Sequence, residues 1–348
     1  MPSCNKDVRK RIMYGLDIAI VGAGAIVEKF YLPALAKLRG KVRRIGVIDL
    51  NLAQREMIAT AYDLIPFGSL EAAAAAGFRA AIIAVPNRFH APVTHEALRL
   101  GMDVLVEKPL ADSHDEAKEM VDLAANAGRI LAVNQTRRLF GTSRFIRDAI
   151  AAGTYGELRS VRYEEGAPFK WTSVDGAYTQ TNLGRVGVIA DLGSHVLDVI
   201  AWWTDGMVGL VRCRHDGWAG PEAFAHIELG GMAEASVKIS RLGRMNNYFE
   251  VQFEDARLFG DIYNWSSINI EQQGHLTRET IDTQAKTYAD MGDVLLTDFI
   301  AAVACSRDPL FPAERSIAGM KLIDDCYNRA EKFEYGWYAP SNMPGNKE

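Results

Sequence analysis

Two stretches of this chain place ionisable side chains where the surrounding pattern calls for buried backbone. The first is Asp103-Val104-Leu105-Val106, an apolar, β-branched run of buried-strand type that stops at Glu107-Lys108-Pro109. Proline lacks a backbone donor and drives the residue before it toward extended geometry, so the strand is expected to end at Lys108. In an open parallel sheet the carboxyl ends of the strands line the ligand crevice. A lysine fixed there can move a proton or orient a substrate, because a desolvated ammonium gives up its proton readily. The plain alternative is an exposed Glu-Lys turn.

The second stretch runs from Arg185 to Asp198. As a helix it puts Asp191, His195 and Asp198 at i, i+4 and i+7, on one face, with Leu192, Val196, Val199, Ile200 and Trp203 covering the other. Three ionisable groups aligned on an otherwise apolar helix are costly unless they pair or work. Histidine titrates near neutral pH, so His195 can exchange a proton with a substrate hydroxyl. Asp191 could orient the substrate or share that proton, and Asp198 could fix the imidazole tautomer. The competing reading is a solvated polar face.

The elements that must position these groups alternate regularly through the first half. Leu16–Val21 is an apolar run followed at once by Gly22-Ala23-Gly24-Ala25-Ile26-Val27 and then by helical patterning through Phe30, Leu32, Leu35 and Leu38. Strand, glycine turn and helix together are the context in which G-x-G signifies a dinucleotide site. Gly22 allows the tight turn, and Gly24, Ala25 and Ile26 bring backbone to a pyrophosphate at the helix N-terminus. Val27 stands where a third glycine is usual, at a position that serves helix–strand packing. A second strand, Arg43–Ile48, ends at Asp49, near the spacing at which an acid binds the adenosine ribose. A carboxylate there repels a 2′-phosphate, so NAD is the expected cofactor and NADP the less favoured one. Asp49 or Asn51 could equally cap the helix Leu52–Tyr62.

The alternation continues with a helix Ser69–Ala76, a strand Ala80–Val85 ending at Pro86-Asn87, a helix Ala91–Leu100, the Val104 strand, a helix Ser113–Ala127 and a strand Arg129–Val133. Repeated βα units of this length imply a parallel sheet covered on both faces. Pro86 and Asn87, at a strand carboxyl end, are placed to line the nicotinamide ribose. Past a helix Thr142–Ala152 the pattern changes to period-two strands: Leu158–Glu165, Val208–Arg214, Phe224–Leu229, Ala233–Ile239, Tyr248–Phe253, Ala256–Tyr263 and Ser267–Glu271. Such strands without crossover helices indicate a mostly antiparallel sheet. Helices at about Asp290–Cys305 and Pro312–Phe333 close the chain. The expected fold is therefore α/β plus α+β: an N-terminal doubly wound Rossmann sheet and a C-terminal, mostly antiparallel open sheet. The corresponding division is a tail (1–15), a dinucleotide-binding domain (16–136), a substrate-binding and oligomerisation domain (137–335) and a second tail (336–348).

Composition restricts the classes of function. With 348 residues, 24% of them charged, and a net charge of −5, the chain suits a two-domain globular protein and offers no basic groove for nucleic acid. Cys4, Cys213, Cys305 and Cys326 form no C-x-x-C pair or His/Cys cluster, which argues for a reduced, cytoplasmic protein and against a metal site. The basic segment Met1–Tyr14 lacks the apolar core of a signal peptide. No apolar run approaches the roughly 20 residues that span a bilayer.

Glu107-Lys108-Pro109, the loop at Gly22 and Gly24, and Ala84-Val85-Pro86-Asn87 together resemble the Gfo/Idh/MocA oxidoreductases, which include glucose–fructose oxidoreductase and inositol dehydrogenase. Asp191-x-Gly-x-His195-x-x-Asp198 is similar to that family's second signature, so the resemblance covers nearly the whole chain. It implies hydride transfer between nicotinamide and a secondary hydroxyl of a sugar, inositol or nucleotide sugar. It assigns Lys108 to the reacting hydroxyl, with Glu107 beside the cofactor, His195 as proton acceptor and Asp191 as its companion, and it implies a cis bond before Pro109. Arg137, Arg138, Lys170 and Arg185 are candidates for an anionic group on the substrate, and Trp171 and Tyr178 for stacking on a sugar ring. The exposed face and edges of the open sheet suggest self-association as a homodimer or homotetramer. Relatives of this kind also include glycosidases that oxidise transiently with tightly held NAD, and non-catalytic NAD-binding regulators. Both remain alternatives, although a pure binder has no need of proton-transfer groups.

Overall fold

A computed structural model describes residues 15–168, 184–217 and 221–333. The basic N-terminal segment, Lys170, Trp171, Tyr178 and the tail after 333 lie outside these residues.

The first half is a six-stranded parallel sheet. Its strands are β1 (Leu16–Val21), β2 (Val42–Ile48), β3 (Ile65–Phe67), β4 (Ala80–Ile83), β5 (Asp103–Val106) and β6 (Leu131–Val133). They lie in the order β3-β2-β1-β4-β5-β6, so the order reverses between β1 and β4. That reversal opens the crevice in which doubly wound sheets bind nucleotides. Every residue of β4 and β5 is buried, as expected for strands covered on both faces. The helices that cover them are α1 (Leu32–Lys37), α2 (Leu52–Tyr62), α3 (Leu70–Ala75), α4 (His90–Arg99) and α5 (His114–Ala127). A capping box fixes the start of α5: Glu116 N donates to Ser113 Oγ at 3.2 Å, and Ser113 N donates back to Glu116 Oε2 at 3.2 Å. The short strand β3 is absent from the sequence expectation. Ile-Pro-Phe is too brief to show a period, and two of its three residues are exposed.

Helix α6 (Gly141–Ala152) leads into a nine-stranded sheet. It contains β7 (Leu158–Gly166), α7 (Ser194–Trp203) as an insertion, and then β8 (Val208–His215), β9 (Phe224–Gly231), β10 (Glu234–Ser240), β11 (Tyr248–Phe253), β12 (Ala256–Asp261), β13 (Ser267–Gln272) and β14 (His275–Thr280). Neighbouring strands pair antiparallel, except that β10 runs parallel to β7 and the two-residue β15 (Glu331–Lys332) runs parallel to β8. Along β9 to β11 buried and half-exposed residues alternate, which is the signature of one packed and one open face. Strand β14 is exposed throughout and carries no apolar period, so sequence patterning could not reveal it. Helices α8 (Tyr288–Cys305) and α9 (Ile317–Arg329) complete the chain.

Helix α9 packs beside α7: a Cβ at Gly319 would stand 2.9 Å from the Asp198 backbone, so only glycine permits this approach. Helix α8 instead returns to the first half. Its Gly292 lies against Phe30 and Ala34, and Asp293 accepts from Lys37 Nζ at 2.6 Å. The last part of the chain thus clasps the parallel sheet, and one apolar core runs from that sheet into the underside of the nine-stranded one. Among the described residues, no helix is long and apolar enough to cross a membrane.

Candidate active site

The site is built where the carboxyl ends of the parallel strands meet α7. Glu107 and Lys108 follow β5 directly, and the Lys108–Pro109 bond is cis. Two contacts hold this strand end in place. The buried imidazole of His90 lies 2.7 Å from the Pro109 carbonyl through Nδ1 and 2.9 Å from the Val85 carbonyl through Nε2, tying the exits of β4 and β5 together. The buried Glu107 carboxylate accepts from Tyr31 Oη at 2.6 Å and from Asn134 Nδ2 at 2.6 Å. Burial, and then the neighbouring Glu107 charge, push the Tyr31 phenol well above its ordinary value, so it remains a donor. Glu107 is thereby the keystone under Lys108, a role invisible in the sequence because its partners come from positions 31 and 134.

From the other half, the chain enters the site through a turn fixed by Glu222. Its Oε1 accepts from Ile189 N at 3.0 Å and from Tyr327 Oη at 2.9 Å, and Tyr327 Oη accepts from Ala190 N at 3.2 Å. The predicted helix over Arg185–Asp198 therefore starts only at Ile189, as a π-turn (Ile189–Gly193) that passes into α7. Gly187 carries φ +109° just before it, and a side chain there would collide with the Glu222 carboxylate.

Lys108 and Asp191 meet across the two halves. Lys108 Nζ donates to Asp191 Oδ1 at 2.8 Å and to the Asp191 carbonyl at 3.3 Å. The other carboxylate oxygen, Oδ2, accepts from Arg241 Nε at 2.8 Å and also from Arg241 Nη2. Burial alone would push the Asp191 carboxyl up. The charges of Lys108 and Arg241 and their hydrogen bonds outweigh it, so Asp191 sits below the ordinary carboxylate value. His195 follows one turn later. Burial lowers its pKa well below the usual imidazole value, and the charges of Lys108, Arg137 and Arg241 lower it further. The imidazole is therefore neutral, and its Nδ1 is buried with no hydrogen-bond partner among the described residues.

The remaining candidates are distributed more widely. Arg137 joins the site but is committed: it donates to both oxygens of buried Glu165, at 2.7 Å for Nη2 to Oε1, and to Tyr163 Oη at 2.9 Å. Tyr263 Oη adds a 3.0 Å bond to Glu165. Arg185 turns away to Asp324 at 2.5 Å and stacks over Tyr327, while its carbonyl accepts from Asn87 Nδ2 at 3.0 Å. Asn87 thus bridges the two halves. Asp198 departs from expectation, because it does not touch the imidazole. It is 2% exposed, and Arg138 takes both of its oxygens, Nε to Oδ2 at 2.8 Å and Nη2 to Oδ1 at 2.7 Å. The carboxylate faces a buried guanidinium from position 138 that sequence spacing could not foresee. Asp198 and Arg138 are thereby a core ion pair rather than substrate ligands. Arg241, Glu165, Tyr31 and Asn134 were not anticipated at all. The available hint was position: Arg241 directly follows β10, and Glu165 is the penultimate residue of β7, so each stands at a strand end.

The residues at the β1 exit fit a dinucleotide. Gly22 has φ +99°, and a Cβ there would strike the Ala84 carbonyl, whereas a Cβ at Gly24 would meet nothing within 4 Å. The loop therefore presents open space at the start of a helical turn whose first amides lack intrahelical acceptors, as pyrophosphate binding requires. Asp49 Oδ2 accepts from Ala23 N at 2.8 Å and Oδ1 from Asn51 N at 2.7 Å. Asn51, not Asp49, caps α2, accepting from Gln54 N at 3.1 Å.

Comparison with known proteins places this geometry. Residues 16–135 match the family model described as an oxidoreductase family with an NAD-binding Rossmann fold, and residues 143–259 match the GFO/IDH/MocA C-terminal domain. A D-glucoside 3-dehydrogenase of Escherichia coli is 30% identical over 190 residues, 53% of this chain and 52% of that protein. A 4-carboxy-2-hydroxymuconate-6-semialdehyde dehydrogenase of a Sphingobium species is 25% identical over 337 residues, 91% of this chain and 99% of that protein. Several other curated relatives are likewise matched over about half of their length. In fold, the chain resembles a 3-ketoreductase from Actinomadura kijaniata solved with NADP and TDP-benzene, with a TM-score of 0.78 and 19% identity, covering 92% of this chain and 100% of that one. That NADP complex corrects the expectation that NADP is the less favoured cofactor. Asp49 already has a part in the loop, since its two oxygens accept from the backbone amides of Ala23 and Asn51. Its presence at the β2 exit is therefore not by itself evidence of a ribose ligand.

Proposed function

The chain belongs to the Gfo/Idh/MocA oxidoreductase family, and from that membership we propose that it is an NAD(P)-dependent oxidoreductase acting on a secondary hydroxyl, or the matching ketone, of a sugar, inositol or nucleotide sugar. One observation carries the reading. An ammonium from the parallel-sheet half meets Asp191 at 2.8 Å, and the imidazole of His195 stands one turn further along the same helical segment, within reach of that ammonium's charge. The substrate class follows those relatives that act on sugar-type molecules, among them the D-glucoside 3-dehydrogenase and an inositol 2-dehydrogenase.

The glycine loop at Gly22–Ile26, Asp49, Pro86 and Asn87 would hold the dinucleotide. When bound, its nicotinamide supplies the acceptor for the hydrogen that leaves carbon. The chain's own residues manage the oxygen. Neutral His195 takes the hydroxyl proton. Lys108 donates to the same oxygen and stabilises the negative charge that develops there, which is electrostatic help aimed at the transition state. Asp191, engaged through both oxygens, holds that ammonium on target. Arg137, bound to Glu165, contributes charge to the site more readily than a free hand for an anionic substrate.

The test is cofactor reduction followed spectrophotometrically across a panel of sugars, inositols, sugar acids and nucleotide sugars with NAD and NADP. Binding of either cofactor without turnover on any member would overturn the reading in favour of a sensor. The pH dependence supplies a second check. Because His195 titrates below the usual imidazole value near 6.5, oxidation (kcat/KM) is expected to hold level as pH falls through 6.5 and to decline only below it. The sign for folding agrees. The unfolded state binds the proton first, so stability due to His195 is complete above about pH 6.5 and is lost as pH falls toward the folded value. An acid limb centred at or above 6.5 that vanishes in His195→Gln would contradict the depressed value.

We also place the protein in the cytoplasm, on its four cysteines with no C-x-x-C pair among them, and read the open face of the nine-stranded sheet as the surface of a homodimer or homotetramer. Light scattering at micromolar concentration is expected to give a multiple of 38.4 kDa.

A further inference from the structure

We propose that Arg241 is a positioning residue of this reaction: it grips the Asp191 oxygen opposite the one used by Lys108, and so fixes the carboxylate that fixes the ammonium. The inference rests on the reading above. Arg241 is well placed to act in this way. Its own amide donates to the Ala223 carbonyl at 2.7 Å, which anchors the residue to the sheet directly after β10, and its side chain is only 19% exposed. Two of its nitrogens converge on the single oxygen Asp191 Oδ2, so the guanidinium holds that oxygen while Lys108 holds the other.

Arg241 also completes the charge arrangement around the imidazole. Three cations face His195: Lys108 from the β5 exit, Arg137 from the turn after β6, and Arg241 from the β10 exit. Glu165 at the end of β7 balances Arg137, with the phenols of Tyr163 and Tyr263 on the same network. Asp191, on the turn before His195, is one negative charge set against both Lys108 and Arg241. A site with Arg241 removed loses one of these three positive charges and lets Asp191 swing, so His195 takes up a proton at higher pH and Lys108 loses its fixed partner. A purely structural arginine would do neither.

The experiment uses the full chain, free of substrate, with isotopically labelled histidine and NMR titration. The His195 signal is assigned by its loss in His195→Gln. In Arg241→Gln its midpoint is expected to rise by about one pH unit, the size typical of a neighbouring charge, whereas Arg241→Lys, which keeps the charge, leaves the midpoint in place. On whichever sugar the parent oxidises, both variants are expected to lose kcat by roughly ten- to a hundredfold with KM changed less than threefold, as for a group acting in the transition state only. An unmoved His195 midpoint in a folded Arg241→Gln overturns the proposal. Should that variant fail to fold, parental turnover by Arg241→Lys overturns it instead. If the parent oxidises nothing on the panel, the functional reading fails by itself, and the titration still decides whether Arg241 sets the state of His195.

Discussion

Replacing Lys108 with alanine is expected to lower kcat by about 10²–10³-fold, the cost of losing one preorganised donor to a developing oxyanion, while leaving cofactor affinity nearly unchanged. The separation follows from where the side chain points. Nζ is directed at Asp191, across the cleft, and not at the glycine loop that would carry the pyrophosphate. The fold is expected to tolerate the change, because Asp191 retains its two bonds from Arg241 and the Lys108 side chain is 15% exposed, so no wholly buried charge is orphaned. Steady-state kinetics with saturating cofactor, alongside direct cofactor titration, separates the two effects. A Lys108→Ala enzyme that turned over at the parental rate would remove the ammonium from the mechanism, and a comparable loss in cofactor binding would relocate it.

The largest effect on stability is expected at a residue with no part in the chemistry. Arg138 and Asp198 are each 2% exposed, and the guanidinium additionally donates to the Arg315 carbonyl at 2.8 Å and lies over Trp202. Burial pushes the Asp198 carboxyl up, while the Arg138 charge and hydrogen bonds pull it back. Arg138→Met removes that compensation and leaves a carboxylate sealed between α7 and α9, which costs about 3–5 kcal/mol. Replacing both partners, as Arg138→Met with Asp198→Leu, is expected to recover much of the loss, since no unpaired charge then remains. Urea unfolding at pH 7 compares the three proteins. A single variant within about 1 kcal/mol of the parent would show that water already reaches the pair.

The site was legible in the sequence where local pattern and local role coincide. A β-branched run broken by Glu107-Lys108-Pro109 marks a strand exit, and glycines directly after Leu16–Val21 mark a tight turn; the structure shows both, with β1 spanning those same residues. Asp191 and His195 stood out because charge on an apolar helix demands a reason. What failed was reasoning by angular spacing through Asp198. The sequence does not reveal that Arg138, 60 residues earlier, takes both oxygens of the Asp198 carboxylate. The ranking of NAD over NADP failed for a similar reason, since Asp49 could be assigned to a ribose without knowing that its bonds to the Ala23 and Asn51 amides already give an acid a place there.

By itself, the sequence determined the periodicities, the strand exits and the residues with a titratable atom to offer, because these depend on neighbours within a few positions along the chain. Only the tertiary structure decided which charges meet. Lys108 and Asp191 are 83 residues apart, Asp191 and Arg241 are 50, and Arg138 and Asp198 are 60. Such pairs are chosen by the burial that brings two elements together, since a charge taken out of water must find its counter-charge on whatever surface covers it. Nothing in the local sequence records which surface that will be.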